Sequence, residues 1–313
     1  MERLKIAITG ASGFVGANLV RYFSEKNEVF ALARNINSWR LTDIQNKIKL
    51  DITNREKVAN TFKKIKPEVT IHCAVYGGYH FEKDTRKIID ININGGLNVL
   101  DACKNNSIFI NTGSSSEYGI RHNIMKEDDK VAPNTAYAMS KALITNVSKS
   151  HDFKAITLRL FSVYGYYEET HRLIPSIINA AINFETVKLS NPNNVRDFVF
   201  VEDVCRAYDL AIRKHNRLDA GDVLNVGSGR QSSVRDIVKM TGVKVSWSIG
   251  VREKEPKRIW KADISEITKK LNWKPENTLK EGLLKTRKWM ENNIVFYEVG
   301  NSGKYSKFDI GSK

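Results

Sequence analysis

The sequence predicts an α/β protein, a doubly wound parallel sheet with a smaller, interleaved α/β portion. Three observations carry that expectation. Short apolar runs alternate with amphipathic stretches through the first half of the chain, the rhythm of repeated strand–helix–strand units. Glycines 10, 13 and 16 stand where the first apolar run passes into the first helical pattern. After Phe161 the alternation becomes irregular without any obvious linker.

Taken in order, residues 6–9, 29–33, 48–50, 69–73 and 108–111 are apolar runs of strand length. Residues 14–26, 55–64 and 84–104 lie between them with helical spacing of apolar positions. A helix over 135–150, capped by Asn134 or Thr135, leads into a sixth strand at 155–161. Beyond it we expect a helix at 173–183, strands near 187–190 and 196–201, a helix at 203–214, another after Ser233 and a last one at 279–292. Residues 1–165, with 195–220 returning to them, form the first domain on this pattern, and 166–194 with 221–295 the second. The polar, glycine-punctuated tail 296–313 is expected to be loosely held.

The chain has 313 residues, 41% of them hydrophobic, and a formal charge of +15. Its basic residues are dispersed, the densest group at 252–261 being interrupted by two glutamates. Dispersal argues against nucleic acid, whose binders gather Lys and Arg into a run or onto one face. It suits a solvated surface and attraction of a small acidic substrate. Cys73, Cys103 and Cys205 are odd in number and far apart, the pattern of reduced thiols in a cytoplasmic protein. No apolar stretch reaches the length of a membrane span or of a signal peptide. The six histidines show no metal-ligand spacing, and no Cys-x-x-Cys occurs, so no metal is expected. A Gly-x-Ser-x-Gly elbow is absent around the serines at 114–116, which sets a serine hydrolase aside.

The glycine loop has a definite chemistry. Gly10 permits the tight turn, Gly13 lets the main chain approach phosphate oxygens, and Gly16 lets the helix pack closely on the sheet. Ser12, Phe14 and Val15 complete the loop, and the helix amino terminus presents unpaired N–H groups to a diphosphate. The expected ligand is a dinucleotide in a Rossmann fold. NAD sites place an acid at the end of the second strand, about 20 residues beyond the glycines. Here that strand ends in Arg34, with no acid between Glu28 and Asp43. An arginine pairs with the extra phosphate of NADP, which is therefore favoured. Arginine also stacks on adenine, so NAD is the alternative. Asp51 and Ile52 are placed for the adenine edge, although Asp51 also suits a cap for the helix beginning near Asn54.

Tyr-x-x-x-Lys occurs three times, as Tyr22/Lys26, Tyr79/Lys83 and Tyr137/Lys141. Spacing alone means little, because residues four apart share a helix face for many reasons. Only Tyr137/Lys141 opens a helix shortly after a strand that ends in serines. A phenol with a pKa near 10 is a weak base at neutral pH, and a nearby ammonium favours its ionised form. Ser114 would then hold a substrate oxygen as it gains or loses a proton. His72 ends a strand and reads as a core histidine.

With these motifs assembled, the chain resembles the extended short-chain dehydrogenase/reductases of the nucleotide-sugar epimerase/dehydratase group, as far as about residue 292. The landmarks are the glycine loop, His72-Cys-Ala74, Asn92-Ile-Asn-Gly95, Thr112 with the serine cluster and Glu117-Tyr-Gly119, Tyr137/Lys141, Arg159 to Gly165, Arg196-Asp-Phe198 and Asn225-Val-Gly227. The resemblance implies catalytic roles for Ser114, Tyr137 and Lys141. It implies cofactor contacts at Ala74, Asn92 and Thr112, substrate contacts at Tyr79, Ser115, Ser116, Tyr137 and Ser162, and a homodimer through helices 84–104 and 135–150. Arg196 and Arg252 resemble arginines that clasp a nucleotide diphosphate, the alternative for each being a surface ion pair. Two departures matter. The family's 4,6-dehydratases follow the catalytic Ser or Thr with an acid, where this chain has Ser115 and Ser116, and Glu117 falls one place late. Many 4-epimerases have asparagine in place of Ser162. The loop His72 to Tyr79 is similar to the 4-ketoreductase branch that makes 6-deoxy sugars. The expected reaction is thus NADPH-dependent reduction of a nucleotide-linked 4-keto sugar. A 4-epimerase with captive NAD is the alternative, and a 4,6-dehydratase or a non-catalytic NADP-binding protein stands further off.

Overall fold

A computed structural model of the chain describes residues 3–79, 81–103, 107–151, 153–248, 258–294 and 296. The first strands are β1 (Lys5–Thr9), β2 (Glu28–Ala33), β3 (Lys47–Lys49), β4 (Val69–His72), β5 (Ile108–Ser114), β6 (Lys154–Leu160) and β7 (Ser162–Tyr164). There follow β8 (Thr186–Leu189), β9 (Val195–Arg196), β10 (Phe198–Phe200), β11 (Val223–Val226), β12 (Ser232–Ser233) and β13 (Lys244–Trp247). The helices are α1 (Phe14–Ser24), α2 (Arg55–Ile65), α3 (Thr85–Ile88), α4 (Gly95–Ala102), α5 (Ala136–Ser148), α6 (Leu173–Ile182), α7 (Val201–Arg213), α8 (Val234–Thr241), α9 (Ser265–Leu271) and α10 (Leu279–Asn292).

Seven strands form one sheet in the order β11-β6-β5-β4-β1-β2-β3, every pair parallel. Parallel strands need crossovers, and these cover both faces of the sheet. One face packs Ile8, Val20, Ile71 and Ile156 with Val204 and Tyr208 of α7. The other packs Leu32 and Phe109 with Phe62 of α2 and Leu100 of α4. A separate apolar cluster joins Ile177 of α6, Ile237 of α8 and Leu283 of α10 to Phe200. The strand order reverses between β1 and β4, and the crevice of such a sheet opens beyond the carboxyl ends of its strands at that point.

Several expectations change here. The strand Val223–Val226 lies in residues expected to belong to the smaller portion, yet it pairs with β6 and closes the main sheet. The helix expected over 84–104 is interrupted by a π-helical segment, Ile89–Asn94, between α3 and α4. The expected strand 196–201 is broken at Asp197. That buried carboxylate accepts the backbone N–H groups of Ser228, Gly229 and Ala262, so it stitches three segments together instead of continuing a ladder. Helix α9 and strand β13 were not anticipated. Thr135 caps α5, its hydroxyl accepting the Ala138 N–H. No described helix is long and apolar enough to cross a membrane, and no metal-ligating cluster occurs among the described residues.

Candidate active site

A cleft of about 860 Å³ runs along the carboxyl ends of the strands, and its floor is the glycine loop. Gly10 sits at the switch point with φ +68°. A Cβ there would stand 2.5 Å from the Ala74 nitrogen, so β1 and β4 approach as only glycine permits. Gly13 caps α1 without any side-chain hydrogen bond, and the first turn holds no acidic residue. The first N–H groups of α1 thus lack the side-chain partner that helix starts usually have, and they form an anion site facing the cleft. Residues of this kind fit the diphosphate of a dinucleotide. Ser12, Phe14, Val15 and Gly16 line the same floor, as do Arg34, Asp51, Ile52 and Ala74. Arg34 follows β2 directly and is exposed. Asp51 accepts the Thr53 N–H and hydroxyl. Burial works against its charge, but these bonds and the nearby Arg34 outweigh that and hold its pKa below the ordinary value.

Further along, Thr112, Ser114, Ser115, Ser116, Tyr137, Lys141, Ser162, Tyr79 and Arg196 line the same cleft. Ser114 ends β5 and its hydroxyl accepts the Ser116 N–H at 3.1 Å. Its own N–H donates to Glu117 Oε1 at 2.8 Å. Glu117 Oε2 lies 2.9 Å from Arg159 Nε, the two side chains being 0% and 4% exposed. Glu117 therefore serves as an internal anchor for the serine turn and does not reach the cleft. Lys141 is buried, and its ammonium donates to the Thr112 carbonyl at 2.8 Å. Burial lowers its pKa, against the pull of Cys73 and Glu117.

Burial raises the Tyr137 phenol, while the Ser114 hydroxyl and the Arg172 guanidinium draw it down. His72 is a core residue, its Nδ1 2.8 Å from Thr9 Oγ1, and burial followed by Lys141 pushes it down to about 3.

Asn92 lies off the cleft, buried, its amide bridging the Tyr76 N–H and carbonyl to Ser140 Oγ, each at 2.8 Å. It ties the β4 loop to α5. Arg252 lies outside the described residues, as does the tail from 297. Of the other two Tyr-x-x-x-Lys pairs, Tyr22 points away on α1, whereas Tyr79 enters the cleft from a loop.

Sequence reasoning missed the segment between β7 and α6. Glu168, Glu169, His171 and Arg172 all line the cleft. Arg40, buried to 6% exposure, reaches across to them, donating to the Tyr167 carbonyl at 2.7 Å and pairing with Glu169 at 2.8 Å. Burial works against the Glu169 charge, but Arg40 and the neighbouring Tyr79 hydroxyl outweigh it and hold its pKa below the ordinary value. At the far end Arg196 lies 4.6 Å over the Trp260 ring. The one signal in the sequence was Trp39-Arg40, a large aromatic and a cation inside a polar loop.

A parallel sheet whose switch point holds a glycine loop, with Ser114, Tyr137 and Lys141 lining the same cleft, defines the extended short-chain dehydrogenase/reductase class. The comparisons narrow it: the model of the NAD dependent epimerase/dehydratase family matches residues 6–227, and the chain belongs to that family of enzymes. It is 26% identical to the UDP-glucose 4-epimerase of Lactobacillus helveticus, over 94% of this chain and 99% of the relative. It is 28% identical to the GDP-6-deoxy-D-talose 4-dehydrogenase of Aggregatibacter actinomycetemcomitans, over 76% of this chain and 79% of the relative. In three dimensions it matches the UDP-glucose 4-epimerase of Thermotoga maritima with a TM-score of 0.83, at 22% identity over 93% of this chain and 100% of the other.

Proposed function

We propose that the protein is an NADPH-dependent reductase acting on the 4-keto group of a nucleotide-linked 6-deoxyhexose. One observation carries the choice of cofactor: β2 ends without a carboxylate, and exposed Arg34 lines the cleft at that point. Bidentate pairing with a phosphate suits a guanidinium there. The serine turn supports reduction over dehydration. Ser115 and Ser116 line the cleft where an acid is required, and the neighbouring Glu117 is buried against Arg159.

In this reading the glycine loop and the start of α1 hold the diphosphate, Arg34 the adenosine end, and Lys141 the ribose nearest the chemistry. When bound, NADPH supplies the hydride. Ser114 holds the carbonyl oxygen, and Tyr137 gives its proton to that oxygen as negative charge develops on it. The phenol regains a proton from solvent. Arg196 and Trp260 serve the nucleotide end, where a cation and an aromatic face suit a diphosphate and a base. The 4-dehydrogenase relative is named for chemistry at the same sugar carbon. We also infer a homodimer, for which exposed Met139 and Leu143 on α5, with Ile89, supply an apolar face. A monomeric mass in solution scattering contradicts it.

Incubation with NADPH or NADH and a panel of CDP-, dTDP-, GDP- and UDP-linked 4-keto sugars tests the reading. Loss of nicotinamide absorbance with NADPH is expected. Protein that carries tightly held NAD and interconverts UDP-hexoses without added cofactor overturns it in favour of a 4-epimerase.

A further inference from the structure

We propose that Arg40 and Glu169 form the clasp of a strap that gates entry and release of the dinucleotide. Only a dinucleotide on the glycine loop is required, so reductase and epimerase are served alike. Arg40 sits in a 3₁₀ turn, Trp39–Leu41, of the loop after β2. The Ser38 hydroxyl accepts the Arg40 N–H at 3.4 Å and starts that turn. The buried guanidinium then joins two segments distant from each other in sequence. Its Nε donates to the Tyr167 carbonyl at 2.7 Å, and its Nη2 lies 2.8 Å from Glu169 Oε1. Its Nη1 donates to the Ser12 carbonyl, inside the glycine loop, at 3.5 Å. Arg40, Glu169, Ser12 and Gly13 line one cleft. The β2 loop and the segment after β7 therefore meet beside the start of α1, where the anion site lies.

Ring contacts extend the strap. Trp39 stacks on Tyr167 with centroids 5.8 Å apart, and Arg21 of α1 lies 4.0 Å over the same Tyr167 ring. Asn18 of α1 donates its amide to the Tyr166 carbonyl at 2.8 Å, so residues 166–169 run along the first turns of that helix. Tyr167 has φ +65°, a left-handed conformation that a bulky side chain keeps only where its surroundings over-determine it. Opening lets this residue relax, so strain within the strap opposes the pairs that shut it. Glu168 pairs within its own segment, with Arg172 at 3.6 Å, and Glu169 is the carboxylate that crosses to the β2 loop. The Arg40 and Glu169 side chains are 8% and 21% exposed, and loss of either charge leaves the other poorly compensated.

Stopped-flow fluorescence of NADPH, and of NADH in separate runs, tests the gate. Mixing with protein gives the association rate, and a chase of the loaded protein with excess oxidised cofactor gives the dissociation rate. A gate limits passage in both directions. Arg40→Met and Glu169→Gln should therefore each raise the dissociation rate about tenfold and accelerate association as well, so that Kd moves by less than either rate. Arg40→Lys keeps the charge without the planar fork and should fall between parent and Arg40→Met. Circular dichroism reports whether each variant is folded, and Glu169→Gln, which keeps the side-chain shape, carries the test if Arg40→Met is not. An unchanged dissociation rate in Glu169→Gln overturns the proposal. Faster dissociation with an unchanged association rate also overturns it, because that pattern marks an ordinary contact with the cofactor.

Discussion

Replacing Arg159 with methionine removes one half of a buried ion pair and leaves the other half in place. The two side chains are 4% and 0% exposed, so water cannot take over the lost interaction. Breaking such a pair from one side costs about 3–5 kcal/mol, because the remaining carboxylate is left without a counter-charge. Arg159 also lies 4.6 Å over the Tyr118 ring, and losing that contact adds about 1 kcal/mol. At about 2 °C per kcal/mol for a chain of this size, Tm should fall by about 8–12 °C. The double variant Glu117→Gln with Arg159→Met removes both charges and should recover most of the loss, giving a coupling of about 2 kcal/mol or more between the sites. Urea denaturation followed by tryptophan fluorescence measures all four corners of the cycle. An Arg159→Met protein within 1 kcal/mol of the parent refutes the reasoning, since the pair would then not be holding the serine turn.

Tyr137→Phe should reduce turnover by at least about a hundredfold while leaving dinucleotide affinity within a factor of about two; equilibrium binding beside steady-state rates separates the effects. His72, held down to about 3 in the folded protein, titrates near 6.5 when unfolded. Its contribution to stability is therefore complete above about pH 6.5 and lost as pH falls toward 3, about 2 kcal/mol by pH 5. His72→Asn should flatten the fall in urea midpoint between pH 7 and pH 5, and an unaltered slope contradicts the assignment. Gly16→Ala drives a Cβ into the Gly10 carbonyl and should both lower Tm and weaken dinucleotide binding about tenfold or more, measured by calorimetry.

Much of the fold was legible because a parallel sheet is buried on both faces and writes its strands as unbroken apolar runs. Ile6 to Ile8 is of that kind, and Val69 to Ile71 departs from it only by the buried Thr70. The glycine loop was legible because a tight turn, a close approach and a helix start are demanded within seven residues. What escaped notice depends on partners distant in sequence. Val223–Val226 reads as any short apolar run, and only its pairing with β6 assigns it to the main sheet. Asn92 sits in a motif yet turns toward Tyr76 and Ser140, a bond no spacing announces. Arg40 and Glu169, 129 residues apart, meet because the loops after β2 and β7 converge over the cleft. Charged residues in such loops read from sequence as solvated surface.

The central claim is that hydride passes from NADPH to carbon 4 of the sugar while Tyr137 protonates the oxygen. Turnover of a nucleotide-linked 4-keto-6-deoxyhexose with [4-²H]NADPH, analysed by mass spectrometry and NMR, tests it directly. The account predicts one deuterium at carbon 4 for each NADP formed, and none in the Tyr137→Phe protein. A 4-hydroxy product without deuterium at carbon 4, or a 4-keto sugar left unreduced with no oxidation of NADPH, would contradict it.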